Sequence, residues 1–208
     1  MPKYVDPEAR RREVVDALFR VVVREGLQRA SLRVVADEAG LNIGSLRHYF
    51  ASQQELMEFA MRSMLERVGG RLLRRVEEIG TLAEYAAAEQ RRLAADLLCE
   101  LLPLDERRRA EVTVFIDFAI AARTNPALDG LAQEAAVGAR SLVRRVLVRL
   151  DASGAVRPGL DLDQETERLT ALVDGLGLGA ALRPEVLAPE TSASVLHAHL
   201  ESLRPPGA

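Results

Sequence analysis

The sequence predicts an all-α fold of about nine helices. Apolar residues recur with the 3.6-residue period of amphipathic helices over most of the 208 residues, and strand-forming residues show no alternating runs. The periodic segments are rich in alanine, leucine, arginine and glutamate, which favour helices. Hydrophobic residues make up 48% of the chain, as in a packed globular protein. The length suits one large domain or two modest ones.

Charge is unevenly distributed along the chain. The net charge is −3, but residues 1–50 carry nine basic and seven acidic residues, so the acidic excess lies in residues 51–208. A mildly basic amino-terminal segment in front of an acidic body suits a protein that contacts DNA with one end. The charged start and the absence of a long uncharged apolar run predict a soluble protein with no membrane partner. One cysteine, Cys99, is consistent with the cytoplasm.

The first helix is expected to begin at Asp6-Pro7, with a capping side chain before proline, and to end at Gly26. Arginines 10–12 lie on its first turns, and they form either a solvated face or phosphate contacts. A basic arm at Lys3 would add non-specific affinity for DNA only.

Residues 31–50 are predicted to form two short helices joined by a tight turn at Gly40. Both helices have apolar faces, and Ala36 offers a small side chain where the second helix crosses the first. This pattern is typical of a helix-turn-helix, whose second helix lies in the major groove of DNA. Several residues of the second helix are not needed by the core, so we expect DNA to contact them: Asn42, Ile43, Gly44, Ser45, Arg47 and His48.

Ser31 is well placed to cap the first of these helices. Arg33 projects from the first turn of that helix, where the helix dipole already favours phosphate. Arg33 is therefore a candidate for phosphate or guanine contact, and the alternative is a surface ion pair with Asp37, four residues on.

The segment from Gly40 to Phe50, followed by Ser52 to Leu56, resembles the DNA-binding signature of the TetR family of bacterial transcriptional regulators. Two further segments, Pro103 to Arg108 and Asp174 to Leu176, resemble the carboxy-terminal domain of the BetI-like branch. The resemblance implies a three-helix DNA-binding domain over residues 1–51. It also implies a larger helical domain over residues 52–208 that dimerises and binds a small ligand.

Carried over by position, the resemblance implies base contacts near Ile43, Gly44, Ser45 and Arg47, and backbone contacts from Arg33 and Tyr49. Two positions depart from the family pattern. Arg47 stands where an aromatic residue is usual, and Gln53 stands where a lysine is frequent. An arginine can pair with guanine, so we expect a half-site that contains G.

A long helix is predicted to follow the capping box formed by Ser52 and Glu55. In the family this helix links the two domains and relays ligand binding to DNA. Gly69-Gly70 lies within it, and the pair either loosens the helix or breaks it.

Three more helices are expected in the middle of the chain. Thr81 and Glu84 form a second capping box, which opens a helix ended by Pro103. Asp105 caps the next helix, whose centre is apolar on nearly all sides and is therefore expected to be buried. Asp117 interrupts that helix, either to receive a cationic ligand or to pair with an arginine. The third helix begins at Asn125-Pro126.

The last two helices, 163–182 and 189–203, are expected to form a four-helix dimer interface, and packing within one chain is the alternative. Gly175 and Gly179 lie one turn apart, which would let another helix approach closely. The predicted interface residues are Leu172, Gly175, Leu176, Gly179, Val195, Leu196, His199 and Leu203.

Chemistry beyond DNA binding is sparse in the sequence. His197 and His199 lie on different faces of a helix, no phosphate-binding glycine loop or GxSxG motif is present, and we expect no cofactor, metal or enzymatic activity. Apolar and aromatic residues in the region where the family keeps its ligand pocket are Met61, Met64, Tyr85, Phe115 and Phe118. The sequence thus predicts a homodimeric repressor that binds a palindromic double-stranded operator and is released by a small-molecule effector. The alternatives are a regulator without an effector and a helical protein-interaction module.

Overall fold

The computed structural model describes residues 6–206, and over this range it contains nine α-helices and no strand. The helices are α1 (Pro7–Glu25), α2 (Leu32–Glu38), α3 (Ile43–Arg47), α4 (Gln53–Ile79), α5 (Ala87–Cys99), α6 (Glu106–Ala122), α7 (Pro126–Ala152), α8 (Leu162–Leu182) and α9 (Pro189–Ser202). Two 3-10 turns, Leu27–Arg29 and Leu82–Glu84, precede α2 and α5. The prediction of an all-α fold is confirmed. Lys3 lies outside the described residues.

The chain forms two compact units. The first unit comprises Met1–Arg67 and Thr113–Gln133, and the second comprises Val68–Val112 and Glu134–Ala208. Each unit has its own apolar core: the core of the first contains Leu18, Leu46 and Phe50, whereas that of the second contains residues such as Leu98 and Leu147. The functional boundary expected between residues 51 and 52 stays a prediction, because compactness alone does not define a DNA-binding domain.

Three predicted helix starts are confirmed by side-chain caps. The Asp6 carboxylate accepts a hydrogen bond from the main-chain N–H of Glu8 at 3.0 Å. Ser52 Oγ accepts from Glu55 N at 3.1 Å, and Asp105 Oδ1 accepts from Arg108 N at 2.7 Å. These bonds satisfy main-chain donors that have no partner within the helix, and they fix where α1, α4 and α6 begin.

The predicted helix start at Thr81 is wrong. Residues Leu82–Glu84 form a 3-10 turn without a side-chain cap, and α5 begins only at Ala87. The Tyr85 carbonyl accepts from Gln90 Nε2 at 2.8 Å, and the Tyr85 hydroxyl donates to the Ile79 carbonyl at 3.1 Å. These bonds hold the chain extended at Tyr85. The sequence pattern at Thr81 and Glu84 therefore starts a single turn, and it does not start a longer helix.

Helix α6 is also less buried than its composition predicts. Val114, Phe118 and Ala122 are buried, and they recur every four residues along one face. Ile120 lies on another face and is 60% exposed. The apolar residues of α6 therefore exceed what the core of a single chain covers.

The other helices agree with the sequence within a few residues. Helix α4 is unbroken across Gly69-Gly70, which excludes a break at this position. Helix α8 begins at Leu162, one residue earlier than predicted, because the Asp161 side chain accepts a hydrogen bond from Gln164 N at 3.0 Å. Among the helices of residues 6–206, none is long and apolar enough to cross a bilayer.

Candidate nucleic-acid interface

Helices α2 and α3 are held by apolar residues that have no exposed surface. Val35 and Ala36 on α2, Leu46 on α3 and Phe50 just after it are all 0% exposed. Gly40 adopts φ +67° between the two helices, in the left-handed region that side chains other than glycine rarely occupy. The helix-turn-helix predicted from residues 31–50 is therefore present, and packing of its buried side chains in the core fixes its geometry.

Asn42 has a structural task that the sequence did not indicate. Its Oδ1 accepts a hydrogen bond from Ser45 N at 2.8 Å and caps α3. A Cβ at Gly44 would lie 3.2 Å from this Oδ1, so glycine leaves room for the cap. Asn42 is exposed and its Oδ1 is engaged in starting the helix, so its contact with DNA stays a prediction. Ser31 Oγ caps α2 in the same way, accepting from Val34 N at 3.4 Å.

Two other predicted contact residues also serve the core. Ile43 and Tyr49 are half-buried and pack against the apolar core of the first unit. Three residues of α3 and its end are exposed, namely Gly44, Arg47 and His48, while Ser45 is half-buried. The surface that α3 offers to a partner is therefore narrower than the sequence suggested, and Arg47 is the charged group on it.

The arginines on the first turns of α1 are engaged within the chain. Arg10 pairs with Glu13, and Arg12 lies 3.9 Å from Asp6. The Arg11 guanidinium stacks over the rings of Phe50 and Phe59 at 4.6 and 4.3 Å. Of the two interpretations of residues 10–12, the structure favours a face that is solvated or structural.

The far end of α1 is joined to α2 through a shared carboxylate. Glu38 accepts from Arg20 Nε at 2.7 Å and from Arg24 Nη1 at 3.0 Å. Hydrogen bonds from Arg20 and then Arg24 hold the pKa of Glu38 below its usual value. Both arginines are thereby partly neutralised by a residue of the helix-turn-helix.

Three arginines of residues 6–50 have no carboxylate within ion-pair distance among the described residues. They are Arg29, Arg33 and Arg47, and all three are exposed. The alternative pair of Arg33 with Asp37 is thus not formed. Sequence reasoning overlooked Arg29, although its place two residues before the Ser31 cap was a usable signal. Within residues 6–50, the positive charge that has no carboxylate partner among the described residues is concentrated around α2 and α3.

The turn that carries Arg29 is held by two long-range hydrogen bonds. Asp117 Oδ2, from α6, accepts from the main-chain N–H of Leu27 at 3.1 Å. Gln53 Nε2 donates to the carbonyl oxygen of Ala30 at 3.1 Å. Asp117 forms no ion pair among residues 6–206, so the expected arginine partner is corrected: its partner is the main chain. All of these residues belong to the first unit.

The predicted ligand-binding residues are divided between the two units. Met61, Met64 and Phe118 are 0–2% exposed in the core of the first unit, and Phe115 is half-buried against it. Tyr85 belongs to the second unit, and its hydroxyl bonds to a carbonyl as described above. Met61, Met64, Phe115 and Phe118 thus share the apolar core of the first unit, and Tyr85 does not.

The predicted interface residues of α8 and α9 fall into three groups. Leu176, Leu196 and Leu203 are buried in the core of their own chain, so the structure corrects their assignment to a partner-facing surface. His199 Nε2 forms a hydrogen bond with Glu165 Oε1 at 2.8 Å, and a Cβ at Gly179 would lie 2.9 Å from Leu187 Cδ2. Both residues have intrachain partners. The rest are accessible: Gly175 and Val195 are exposed, and Leu172 is half-buried.

Comparison with known proteins agrees with this geometry. The amino-terminal model of the TetR family of bacterial regulatory proteins matches residues 14–59, and the model of the carboxy-terminal domain of BetI-type transcriptional repressors matches residues 89–205. The HTH-type transcriptional regulator PksA of Bacillus subtilis is 35% identical over 203 residues, which cover 98% of this chain and 94% of PksA.

Solved structures show the same architecture. A transcriptional regulator from Rhodococcus sp. Rha1 has 30% identity and a TM-score of 0.75, and the match covers 96% of each chain. The multidrug binding protein EbrR, complexed with imidazole, has 26% identity and a TM-score of 0.56, with 96% of this chain and 97% of EbrR covered. The helix-turn-helix with its exposed arginines, the two family matches and these relatives agree: the chain is no enzyme, and it belongs to the TetR family of bacterial transcriptional regulators.

Proposed function

We propose that this chain is a homodimeric repressor that inserts α3 into the major groove of a palindromic operator and leaves DNA when a small molecule binds. The observation that carries the proposal is a helix-turn-helix held by a buried core, on which Arg33 and Arg47 are exposed and have no carboxylate partner among the described residues. Rigid presentation lowers the entropy cost of binding, and unpaired arginines provide the attraction to phosphate and guanine.

Within the predicted DNA-binding set, the residues have different tasks. Arg47 and His48 face outward on α3 and read base edges, with Gly44 allowing close approach of the helix. Arg33 holds a phosphate from the first turn of α2. Asn42 and Ser31 contribute through the helix ends that they cap. Ile43 and Tyr49 combine packing against the core with their DNA contacts, and Ser45 contacts DNA from the middle of α3.

The dimer interface that we propose uses the accessible apolar surface of α8 and α9. Leu178 and Leu182 are 44% and 51% exposed, and on α8 they continue the face that begins at Leu172 and Gly175. Val195 on α9 is 39% exposed. These five residues replace the buried leucines of the original prediction. A second copy that covers them with the same surface would give a two-fold dimer, as the symmetry of a palindromic site requires.

The effector that we propose binds at the cluster of Met61, Met64, Phe115 and Phe118. The multidrug binding relative EbrR supports a small-molecule ligand for this chain. Three of these side chains have almost no exposed surface, so a ligand that contacts them must displace part of the core of the first unit. That unit also contains the helix-turn-helix. A ligand that favours a different arrangement of this core would therefore lower the population that is competent to bind DNA.

The experiment is a titration of labelled duplex, taken from the DNA upstream of the coding sequence, followed by fluorescence anisotropy. Wild-type protein should bind this duplex more tightly than a scrambled one, and log affinity should fall linearly with log salt concentration. Arg47→Ala should lose selectivity by about tenfold while the circular dichroism spectrum is retained. Arg123→Ala is the control, because Arg123 is also an exposed arginine without an ion pair among the described residues, but lies after α6.

Two outcomes would contradict the proposal. If wild-type protein shows no salt-dependent binding to any duplex, the chain acts through protein contacts and the DNA-binding proposal fails. If binding is selective but Arg47→Ala keeps the full ratio between specific and scrambled DNA, the reading role of Arg47 is refuted.

A further inference from the structure

We propose that Arg29 is a third DNA-backbone contact of this chain, and that Asp117 is the positioning residue that holds it in place through the main chain of Leu27. The inference rests on the proposed function, because it assumes that the helix-turn-helix binds DNA. It adds a contact residue before α2 and a route by which α6 influences affinity.

Arg29 differs from the neighbouring arginines because it forms no ion pair among the described residues. On α1, the exposed arginines Arg20 and Arg24 share the Glu38 carboxylate. Arg29 is exposed and has no ion pair or side-chain hydrogen bond within residues 6–206. An arginine without an anionic partner keeps its full charge available, and a planar guanidinium binds phosphate through two parallel hydrogen bonds.

The main chain around Arg29 is unusually well fixed for a three-residue turn. Ala30 N donates to the Leu27 carbonyl at 3.1 Å, and Ser31 N donates to the Arg29 carbonyl at 2.8 Å. Two long-range hydrogen bonds, from Leu27 N to Asp117 Oδ2 and from Gln53 Nε2 to the Ala30 carbonyl oxygen, hold both ends of the turn. A side chain on a fixed turn loses less entropy when it binds than one on a loose loop.

The bond to Asp117 links the turn to α6. The two residues lie 90 positions apart in sequence, and the acceptor is a carboxylate, which makes a stronger hydrogen bond than a neutral oxygen. The Asp117 carboxylate has no other hydrogen-bond or ion-pair partner among residues 6–206, so the Leu27 amide is its partner in the folded chain. A displacement of α6 by about 1 Å would lengthen this bond beyond a useful distance. The position of Arg29 thus depends on where α6 lies.

The first test is the salt dependence of operator binding by Arg29→Ala. Loss of one phosphate contact should lower the slope of log affinity against log salt by about 0.9 and weaken binding about three- to tenfold at 0.1 M salt. Arg123→Ala removes the same charge from another exposed position and should leave the slope unchanged. An unchanged slope in Arg29→Ala, or an equal fall in Arg123→Ala, would overturn the assignment.

The second test is a double-mutant cycle between Asp117 and Arg29. Asp117→Ala should weaken operator binding about threefold or more in the wild-type background and have no further effect in Arg29→Ala. Asp117→Asn keeps an oxygen acceptor for the Leu27 N–H and should bind within about twofold of wild type. Equal effects of Asp117→Ala in both backgrounds would show general destabilisation and refute the positioning role.

Loss of fold is controlled by Asp117→Asn and by thermal unfolding of every variant. The two levels of inference fail differently. Absence of salt-dependent binding by wild-type protein contradicts the proposed function. Selective binding by wild-type protein, combined with a wild-type slope in Arg29→Ala, contradicts only the role of Arg29.

Discussion

Gln53 and Ala30 are joined by a hydrogen bond from the side-chain Nε2 to the main-chain oxygen, 3.1 Å long. The family resemblance places Gln53 where a lysine is frequent, so this chain carries one positive charge fewer at that position. In the structure the amide ties the start of α4 to the turn before α2. Gln53 therefore has a structural role at this position.

Substitution of Gln53 should separate these two effects. Gln53→Met removes the donor and should lower the free energy of unfolding by about 1 kcal/mol, because the Ala30 carbonyl loses its partner. Gln53→Lys retains a donor and adds a charge, so stability should stay near wild type while the salt slope steepens by up to about 0.9. Urea denaturation and anisotropy measure the two quantities. A Gln53→Met variant as stable as wild type would show that the bond is not formed in solution.

The cap of α3 should be detectable in the same way. Asn42→Ala removes the acceptor for Ser45 N and should cost about 1 kcal/mol of stability. Asn42→Asp keeps the cap and should preserve the midpoint of urea denaturation, but its charge faces DNA and should weaken binding. If both variants bind DNA as tightly as wild type, Asn42 lies away from the interface.

The dimer surface is best probed at Gly175, since Gly179 packs within its own chain. Gly175 is exposed, with open space around its Cα, so Gly175→Arg should fold normally and sediment as a monomer. Gly179→Leu should instead lower the melting temperature, because its Cβ would meet the Leu187 side chain at 2.9 Å. A Gly175→Arg protein that remains dimeric by analytical ultracentrifugation would place the interface elsewhere.

The glycine pair in α4 should be a source of flexibility that stability measurements can reveal. A Cβ at Gly69 would have no neighbour within 4 Å, and one at Gly70 would make only an ordinary contact with the Arg74 side chain. Alanine should therefore fit at both positions and raise the free energy of unfolding by about 0.5 to 1 kcal/mol each. Urea denaturation of Gly69→Ala, Gly70→Ala and the double variant would test this. A decrease in stability would indicate that the backbone here requires glycine.

Cys99 should make stability depend on alkaline pH. Burial raises the pKa of its thiol to about 11, and the charge of Asp96 contributes in the same direction. The folded state then holds the proton more tightly than the unfolded state, so this contribution to stability is complete below about pH 9 and is lost as pH rises towards 11. The loss should be about 1 to 2 kcal/mol and absent in Cys99→Ala. If the free energies of unfolding of wild type and Cys99→Ala fall in parallel with rising pH, the contribution of the Cys99 thiol is refuted.

Much of the fold follows from local sequence. The side chains of Asp6, Ser52 and Asp105 mark helix starts because they accept hydrogen bonds from main-chain N–H groups within three residues. Proline marks a helix start because it has no N–H that would need a partner there. The 3.6-residue period of apolar residues also predicted the helices, because it depends only on residues that are close in sequence. Thr81 shows the limit of prediction from local sequence. The same capping pattern is followed by only one turn there, because the chain is extended at Tyr85.

Side-chain roles that depend on distant partners could not be predicted. Asp117 finds the amide of Leu27 only in the folded chain, and nothing in the sequence relates the two positions. The same holds for Gln53 and Ala30. Leu196 has the spacing of an interface residue, yet a helix has several apolar sides and the sequence does not state which one faces a partner.

The division of labour on α3 has a consequence for how such a regulator changes over time. Leu46 anchors the helix from within the core, whereas Arg47 and His48 are exposed and take no part in that packing. Replacing either outward residue should leave the protein folded while altering which DNA it prefers. After a gene duplication, one copy could thus acquire a new target in a single step, without first losing the stability that keeps it functional.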